Sequence, residues 1–207
     1  SETVKLGGGV NSAAEENMPV FSKDSSVLYF VRTFDERNTG GELDQDIWIS
    51  TRNEAGVFDE AKPMKALNNK FNNAVFGVNS KGDRLYLINS YEGKKDLEKG
   101  CAVSEKKGDS WSNPEKVNIP ELAIQGDFYG FHINGNESVM IISHAGPGTL
   151  GKEDLYVSTK KGDSWTEPQH MGNVINTSGF EVSPFLTSGG DTLFFSSNGH
   201  GGEGDAD

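Results

Sequence analysis

Polar side chains that could bind or react with a ligand gather in four segments, residues 33–45, 89–99, 143–153 and 196–206. Each segment follows a short apolar run. Carboxylate, imidazole and amide groups on long loops of a rigid scaffold are the usual carriers of binding function. We therefore expect these four loops to form a ligand-binding face. Its candidate residues are Asp35, Glu42, Asp44, His144, Glu153, Asn198, His200 and Asp205.

Aspartates recur directly after three of these loops. Asp46, Asp154 and Asp207 directly follow the first, third and fourth loops, and Gly100 takes the same position after the second loop. An aspartate in a turn commonly accepts hydrogen bonds from nearby backbone N–H groups, and this is our interpretation of Asp46 and Asp154. Such carboxylates could instead contribute to a calcium site, although no loop carries a complete calcium-binding motif. We therefore predict no cofactor and no metal, with calcium as the open alternative.

Motifs of the common hydrolases are missing from the sequence. It contains no Gly-x-Ser-x-Gly nucleophile elbow, no His-Glu-x-x-His zinc motif and no pair of cysteines. A sialidase would need a cluster of arginines to bind a carboxylate, and the four arginines all lie before residue 85. His132 lies in a predicted strand, where we expect it to be packed. The sequence therefore predicts a protein that is not an enzyme.

The balance of charge narrows the choice of partners. The formal net charge is −12 at pH 7, and an acidic chain repels phosphate backbones, so we expect no nucleic acid partner.

Cys101 is the only cysteine, which excludes an internal disulfide. No stretch approaches the roughly 18 apolar residues that a membrane-spanning helix needs. We therefore expect no membrane-spanning segment.

The loops belong to an internal repeat of about 54 residues. Each copy has an apolar run after a turn, then the recurring aspartate position, then an aromatic residue followed by proline. Each copy thus offers four short strand candidates rich in Val, Ile, Phe, Tyr and Trp and bounded by Gly, Asn, Asp and Pro. A sustained 3.6-residue period is absent, so we expect little helix. We assign Trp48, Trp111 and Trp165 to the packed core.

Four antiparallel strands in a repeat near 50 residues are typical of a β-propeller blade. The sequence therefore predicts an all-β fold with about three and a half blades. Because one blade cannot bury both of its faces alone, we expect a native ring of about six or seven blades that continues beyond residue 207. The predicted parts are residues 1–10 as a closing strand or the end of a preceding blade, 11–66, 67–119 and 120–173 as complete blades, and 174–207 as a partial blade.

Two predicted turns are similar to a known structural element. Residues 104–111 and 158–165 resemble the Asp-box of sialidase-type propellers, with Lys106 and Lys160 in place of its defining aspartate. The Asp-box is a structural turn. The resemblance therefore implies hairpins followed by core aromatic residues, and it implies no sialidase activity.

A second similarity covers most of the chain. It is carried by residues 18–24, 28–30 and 46–50 in the first copy and by residues 182–185 and 190–202 in the last. In these segments the chain resembles the PD-type WD40-like propeller repeat. The second copy departs from the pattern because it lacks the proline and has glycine at the aspartate position, and the third copy also lacks the proline.

Repeats of this type occur in TolB-like and OmpA-associated envelope proteins of Gram-negative bacteria. The resemblance implies a periplasmic or outer-membrane-associated scaffold that binds other envelope proteins, within an outer-membrane or secretion-related assembly. Two alternatives remain open. One is a propeller that binds or acts on peptidoglycan or another glycan, and the other is a propeller that gates a peptidase beyond residue 207.

Overall fold

The computed structural model describes residue 3, residues 5–93 and residues 98–207. Within these residues the chain forms sixteen β-strands and no helix, and neighbouring strands pair antiparallel. The prediction of an all-β fold is confirmed. The strands coincide with the segments rich in β-branched and aromatic residues, whose side chains fit a pleated, half-buried surface.

The strands form four sheets in chain order. The first sheet contains β1 (Glu15–Phe21), β2 (Val27–Thr33), β3 (Asp46–Thr51) and β4 (Lys62–Pro63). The second contains β5 (Val75–Val78), β6 (Arg84–Ile88), β7 (Cys101–Lys107), β8 (Ser110–Trp111) and β9 (Glu115–Lys116). The third contains β10 (Tyr129–Ile133), β11 (Val139–His144), β12 (Asp154–Lys161), β13 (Ser164–Trp165) and β14 (Gln169–His170). The fourth contains β15 (Glu181–Leu186) and β16 (Leu193–Ser197).

The chain divides into two compact units, residues 1–116 and residues 117–207. The first unit holds the first and second sheets, and the second unit holds the third and fourth. Residues 5–10, for which a strand is predicted, contain a turn at residues 8–10 and no strand. The Gly9 carbonyl there accepts the Ala61 N–H at 2.8 Å. The remaining part of that prediction, residues 1–4, includes residues 1, 2 and 4, which lie outside the described residues.

A serine on each third strand fixes the chain segment that returns after the turn. Ser50, Ser104 and Ser158 are spaced 54 residues apart. Their hydroxyls donate to backbone carbonyls at 2.6, 2.7 and 2.6 Å, those of Asp59, Ser112 and Thr166 respectively. The same side chain therefore closes the same hairpin in three sheets.

Proline coincides with a β-bulge in the first strand of two sheets. The pairing of first and second strands shifts register around Pro19 in the first sheet and around Pro184 in the fourth. The preceding residues, Met18 and Ser183, have positive φ angles of 49° and 53°. A bulge leaves one residue outside the ladder, so a proline without an N–H is tolerated there.

Side-chain alternation gives the first sheet two buried faces. One face packs against the second sheet, and the other packs against the turn that precedes β1. The cluster between the sheets contains Tyr29, Ile47, Met64, Leu67, Val75, Leu85 and Leu87. The cluster on the opposite face contains Val10, Leu28, Phe30, Trp48, Phe58 and Ala61.

The second unit repeats this sheet-on-sheet packing. Ile141 and Leu155 of the third sheet pack against Leu186 of the fourth, with Leu193 and Phe195 at the margin. Trp165 is buried, as expected for a core aromatic residue after its hairpin.

In each unit a buried asparagine in the connection between consecutive sheets binds the third strand of the preceding sheet. Asn68 Oδ1 accepts the Ile47 N–H at 2.8 Å, and Asn68 Nδ2 donates to the Ile47 carbonyl at 3.0 Å. Asn176 makes the same two bonds to Leu155, at 2.7 and 2.9 Å. Ile47 and Leu155 directly follow the recurring aspartate of the third strand. One side-chain amide thus satisfies two backbone groups that are buried away from water.

We expect Asn68→Ala to lower the free energy of unfolding by about 1–3 kcal/mol. The substitution leaves the buried Ile47 N–H without its acceptor, whereas the Ile47 carbonyl keeps a hydrogen bond from the Met64 N–H at 2.8 Å. Urea unfolding measures the loss. Asn113→Ala, at an exposed asparagine of the same unit, serves as the matched control and should be nearly neutral. Equal stability of the two variants would contradict the assigned role of Asn68.

Candidate functional site

Arg32 lies at the base of the first long loop, residues 33–45, and is 3% exposed. Its Nε donates to Glu16 at 3.0 Å, and its two terminal nitrogens donate to Asp35 at 3.3 Å and to the Val10 carbonyl at 2.7 Å. A buried guanidinium needs such partners because water is excluded from it. Arg32 therefore positions the loop, and its donor nitrogens are all engaged within the protein.

Trp48 contacts two guanidinium groups and is fully buried. The guanidinium carbons of Arg32 and Arg37 lie 4.1 and 4.5 Å from the centre of its ring, within cation–π range. The indole N–H donates to Asn38 Oδ1 at 3.0 Å. Asn38 Nδ2 in turn donates to the carbonyls of Arg32 and Asp44, at 3.1 and 2.8 Å. Trp48 therefore ties both ends of the loop to the sheet.

Asp35, a predicted ligand-face residue, is 9% exposed and is bound within the loop. It accepts hydrogen bonds from Arg37 Nε at 2.9 Å and from an Arg37 terminal nitrogen at 2.8 Å. These bonds lower the pKa of Asp35 to about 2. The carboxylate thus stays ionised and holds Arg37 over the indole ring.

Asp46 has one carboxylate oxygen with partners and one without. The Thr39 N–H and hydroxyl donate to Oδ2 at 2.7 and 3.0 Å, which are the contacts of a turn-capping aspartate. Oδ1 is buried and has no hydrogen-bond partner among the described residues. Burial raises the pKa of Asp46 above its usual range, and the nearby negative charge of Asp44 acts in the same direction.

Asp46→Asn should remove a pH-dependent component of stability. Since the pKa of Asp46 is raised on folding, the stabilisation is full below the unfolded pKa of about 3.8 and is lost as pH rises through the folded pKa. Urea unfolding of both proteins between about pH 3 and about pH 7 measures the difference.

Asp35→Asn provides the matched comparison of opposite sign. Its lowered pKa means that its stabilisation is present above the unfolded value and is lost as pH falls toward about 2. If the free energy of unfolding depends on pH in the same way for Asp46→Asn and for the wild-type protein, Asp46 has the same pKa in the folded protein as in the unfolded chain. That result would contradict the prediction for Asp46.

In the second unit, the loop at residues 143–153 begins on a stack of two rings. His144 is 4% exposed, and its imidazole stacks on Tyr156 with ring centroids 4.5 Å apart at an angle of 27°. His144 Nδ1 lies 2.9 Å from the Ala145 carbonyl, so Nδ1 carries the proton. Burial lowers the pKa of His144. This predicted ligand-face residue therefore lies inside the sheet, beneath its loop.

An aspartate–histidine pair closes the same loop. His170 Nε2 lies 2.8 Å from Asp154 Oδ2, which also accepts the Leu150 N–H at 2.7 Å. His170 Nδ1 accepts the Gly172 N–H at 3.1 Å, so the ring proton is on Nε2 and is donated to Asp154. A general base needs a free ring nitrogen next to its substrate. Both nitrogens of His170 are already bonded, and the pair therefore anchors the loop.

The two units build these loops at the same register positions. Arg32 is paired with Asp46 across β2 and β3, and His144 is paired with Asp154 across β11 and β12. In both sheets the side chain at the end of the second strand lies on the aromatic ring two residues beyond the aspartate. One arrangement thus serves an Arg–Trp contact in the first unit and a His–Tyr contact in the second.

His144→Phe should weaken the loss of stability at acidic pH. Because burial lowers its pKa, the unfolded chain takes up the proton first as pH falls below about 6.5, and folding stability declines there. Phenylalanine retains a ring over Tyr156 but does not titrate. Unfolding measurements between about pH 7.5 and about pH 5 test the slope. NMR titration of the wild-type His144 imidazole provides an independent check, and a midpoint at or above about 6.5 would contradict the prediction.

Three of the predicted ligand-face residues lie at the outside of their loops. Glu42 and Asp205 are exposed, and Asp44 is half-buried. The Glu42 carbonyl accepts the Phe34 N–H at 2.9 Å, which closes the first loop at its outer end. The loop at residues 89–99 includes residues 94–97, which lie outside the described residues.

The remaining three contribute hydrogen bonds within the second unit. Glu153 is half-buried, whereas Asn198 and His200 are exposed. The Glu153 carbonyl accepts the Glu181 N–H at 2.7 Å, Asn198 Oδ1 accepts the Phe180 N–H at 2.9 Å, and His200 Nε2 lies 2.8 Å from the Ile175 carbonyl. Their assignment to a ligand face stays a prediction.

No three His, Cys, Asp or Glu side chains in the described part of the chain are grouped so that they could hold a metal ion. Burial raises the pKa of the Cys101 thiol to about 12. The thiol therefore stays protonated at neutral pH, as expected for a small core residue. No helix that could cross a lipid bilayer is found among the described residues.

The roles of Asn68, Asn176, Tyr156 and His170 in holding the loops were missed from the sequence, whereas Trp48 was assigned to the packed core. A signal did exist for Asn68 and Asn176, and for Trp48 and Tyr156, because each pair is separated by 108 residues, two lengths of the repeat. His170 offers no such signal. The matching position of the first sheet is Pro63, which pairs with Trp48 as His170 pairs with Tyr156.

The sequence matches no family model and no curated protein. The similarity to the PD-type WD40-like repeat thus rests on the residues of this chain alone, and it stays a prediction.

Proposed function

We propose that the chain is a run of β-propeller blades and works as a non-catalytic scaffold that binds other proteins. Support for the blades comes from the way consecutive sheets meet within each unit. The Asn73 N–H donates to the Gln45 carbonyl at 2.6 Å, and the Glu181 N–H donates to the Glu153 carbonyl at 2.7 Å. Both bonds run from the first-strand region of one sheet to the residue before the third strand of the preceding sheet. Such a repeated contact is what radial stacking of blades requires.

One observation supports the proposed binding function. The polar groups at the base of the long loops are engaged with one another, as in the contacts of Arg32 with Asp35 and of His170 with Asp154. These groups make the loops rigid, while exposed side chains such as Glu42 and His200 remain at the outside. A preorganised loop loses little conformational entropy when a partner binds, which favours recognition over chemistry.

The cellular setting is proposed from the resemblance to envelope repeat proteins. We place the scaffold in the periplasm or at the outer membrane of a Gram-negative bacterium, with envelope proteins as partners. Because one repeat architecture can serve many functions, the long loops have to supply the specificity for these partners.

A comparison of two double variants tests the scaffold. Wild-type protein, His200→Ala with Asp205→Ala, and Lys107→Ala with Lys161→Ala are immobilised and exposed to a Gram-negative envelope fraction under chemical cross-linking. We expect a discrete cross-linked protein with the wild type and with the lysine control, and its loss from the loop variant. The two lysines are the last residues of the third strands β7 and β12, at the opposite end of each strand from the long loop, so their removal leaves the long loops intact.

Retention of the same cross-linked proteins by all three samples would count against binding through the long loops. A glycan array probed with the same proteins tests the alternative function, binding to a glycan. Binding to peptidoglycan fragments, without any cross-linked protein, would replace the protein scaffold with a glycan-binding propeller.

A further inference from the structure

Two large apolar residues are exposed on the first long loop, at positions that its backbone pairing brings close together. Phe34 is 50% exposed and Leu43 is 76% exposed. The hydrogen bond from the Phe34 N–H to the Glu42 carbonyl brings Phe34 beside the backbone of Leu43. Single exposed apolar residues are common on protein surfaces, but large ones placed together on a rigid support are typical of binding sites.

The backbone at Phe34 is held in an unfavourable conformation. Its φ angle is 63°, in the left-handed region that bulky residues rarely adopt. Phe34 gains little burial in return, since half of its surface is in water. Strain of this kind persists only where the surroundings enforce it, and it concentrates at functional positions.

The surroundings of Phe34 provide that enforcement. The residue stands between Arg32 and Asp35, both of which are buried and bonded to each other at 3.3 Å. The far end of the loop is fixed by Asn38, whose amide donates to the carbonyls of Arg32 and Asp44. Phe34 is therefore presented from a clamped loop, and little of that order has to be created on binding.

Negative charge borders the apolar pair. Between residues 34 and 46 the chain carries five acidic residues and one basic residue. Glu36 and Glu42 are exposed and Asp44 is half-buried. The one base, Arg37, is bound to Asp35 and lies over Trp48, so its charge is locally offset. A partner that covers this surface is favoured if it carries positive charge.

We propose that Phe34 and Leu43, bordered by Glu36, Glu42 and Asp44, form an anchor that docks a Lys- or Arg-rich polypeptide segment with apolar side chains. The inference rests on the proposed scaffold function and names the chemistry of the partner. The apolar pair supplies the buried centre of the interface, and the carboxylates supply a polar rim that selects basic sequences.

A displayed library of random twelve-residue peptides, selected against the wild-type protein, tests the proposal. We expect the selected peptides to be enriched in Lys or Arg together with apolar residues, and their binding to weaken as salt is raised. Phe34→Asn and Leu43→Ala should each weaken binding of a selected synthetic peptide at least about tenfold. Glu36→Gln with Glu42→Gln should chiefly slow association and reduce its salt dependence.

The variants are chosen so that loss of binding cannot be confused with unfolding. Asparagine tolerates the left-handed conformation, so the melting temperature of Phe34→Asn should equal or exceed that of the wild-type protein. Phe34→Gly is the second variant of the same kind. Val57→Ala removes an apolar side chain that is 55% exposed elsewhere in the first unit, and it should leave peptide binding unchanged.

Other outcomes would overturn the anchor and separate it from the scaffold function. Peptides that bind Phe34→Asn as tightly as the wild type would remove the anchor while leaving a binding scaffold in place. Enrichment of acidic or uncharged peptides would remove the charge selection, and an absence of any enrichment would remove the peptide site. Self-association that disappears in Phe34→Asn would assign the surface to a second copy of this chain.

Discussion

The pairing of one side-chain amide with both backbone groups of a buried residue is the contact on which the rest of each unit depends. Asn68 and Asn176 make it to Ile47 and Leu155, the residues that follow the recurring aspartate. Unpaired backbone groups are costly to bury, so the chain between two sheets has one favoured path. That path sets where the next sheet starts, and it also fixes the third strand, at which the long loop ends. Sheet stacking and loop placement are thus two consequences of the same contact.

Local differences then decide how each loop is closed. Asp46 and Asp154 occupy equivalent register positions, but only Asp154 has a histidine within reach, because Pro63 stands in the first sheet where His170 stands in the third. The Asp46 carboxylate therefore keeps a buried oxygen that has no hydrogen-bond partner in the described part of the chain, and burial raises its pKa. The first loop compensates elsewhere, through Arg32, Asp35 and Trp48. A common backbone arrangement is consequently supported by two different sets of polar contacts.

The all-β class and the positions of most strands could be predicted from the sequence because both follow from local patterns: apolar runs near Val27, Arg84 and Val139, turn residues between them, and a spacing of about 54 residues. The contacts inside the loops could not. Stacking of His144 on Tyr156 depends on strand register, and bonding of His170 to Asp154 depends on a chain reversal of sixteen residues. The bulge at Pro19 was visible only as a recurring proline, and its effect on register needs the paired strand as well.

Burial also separates the candidate residues that bond within the protein from those that a partner could contact. Asp35 and His144 attract attention in the sequence because they are ionisable residues near long loops, yet each is largely buried and committed to neighbours within the protein. A partner in solution first meets the outer residues, which in the first loop are mostly apolar or acidic. Since those outer side chains are held by the buried polar contacts beneath them, a substitution at Asp35 would disturb recognition indirectly, through the loop. In the proposed scaffold, binding specificity would therefore be set by exposed side chains that contribute little to stability, and the buried side chains beneath them would contribute little to the contact with a partner.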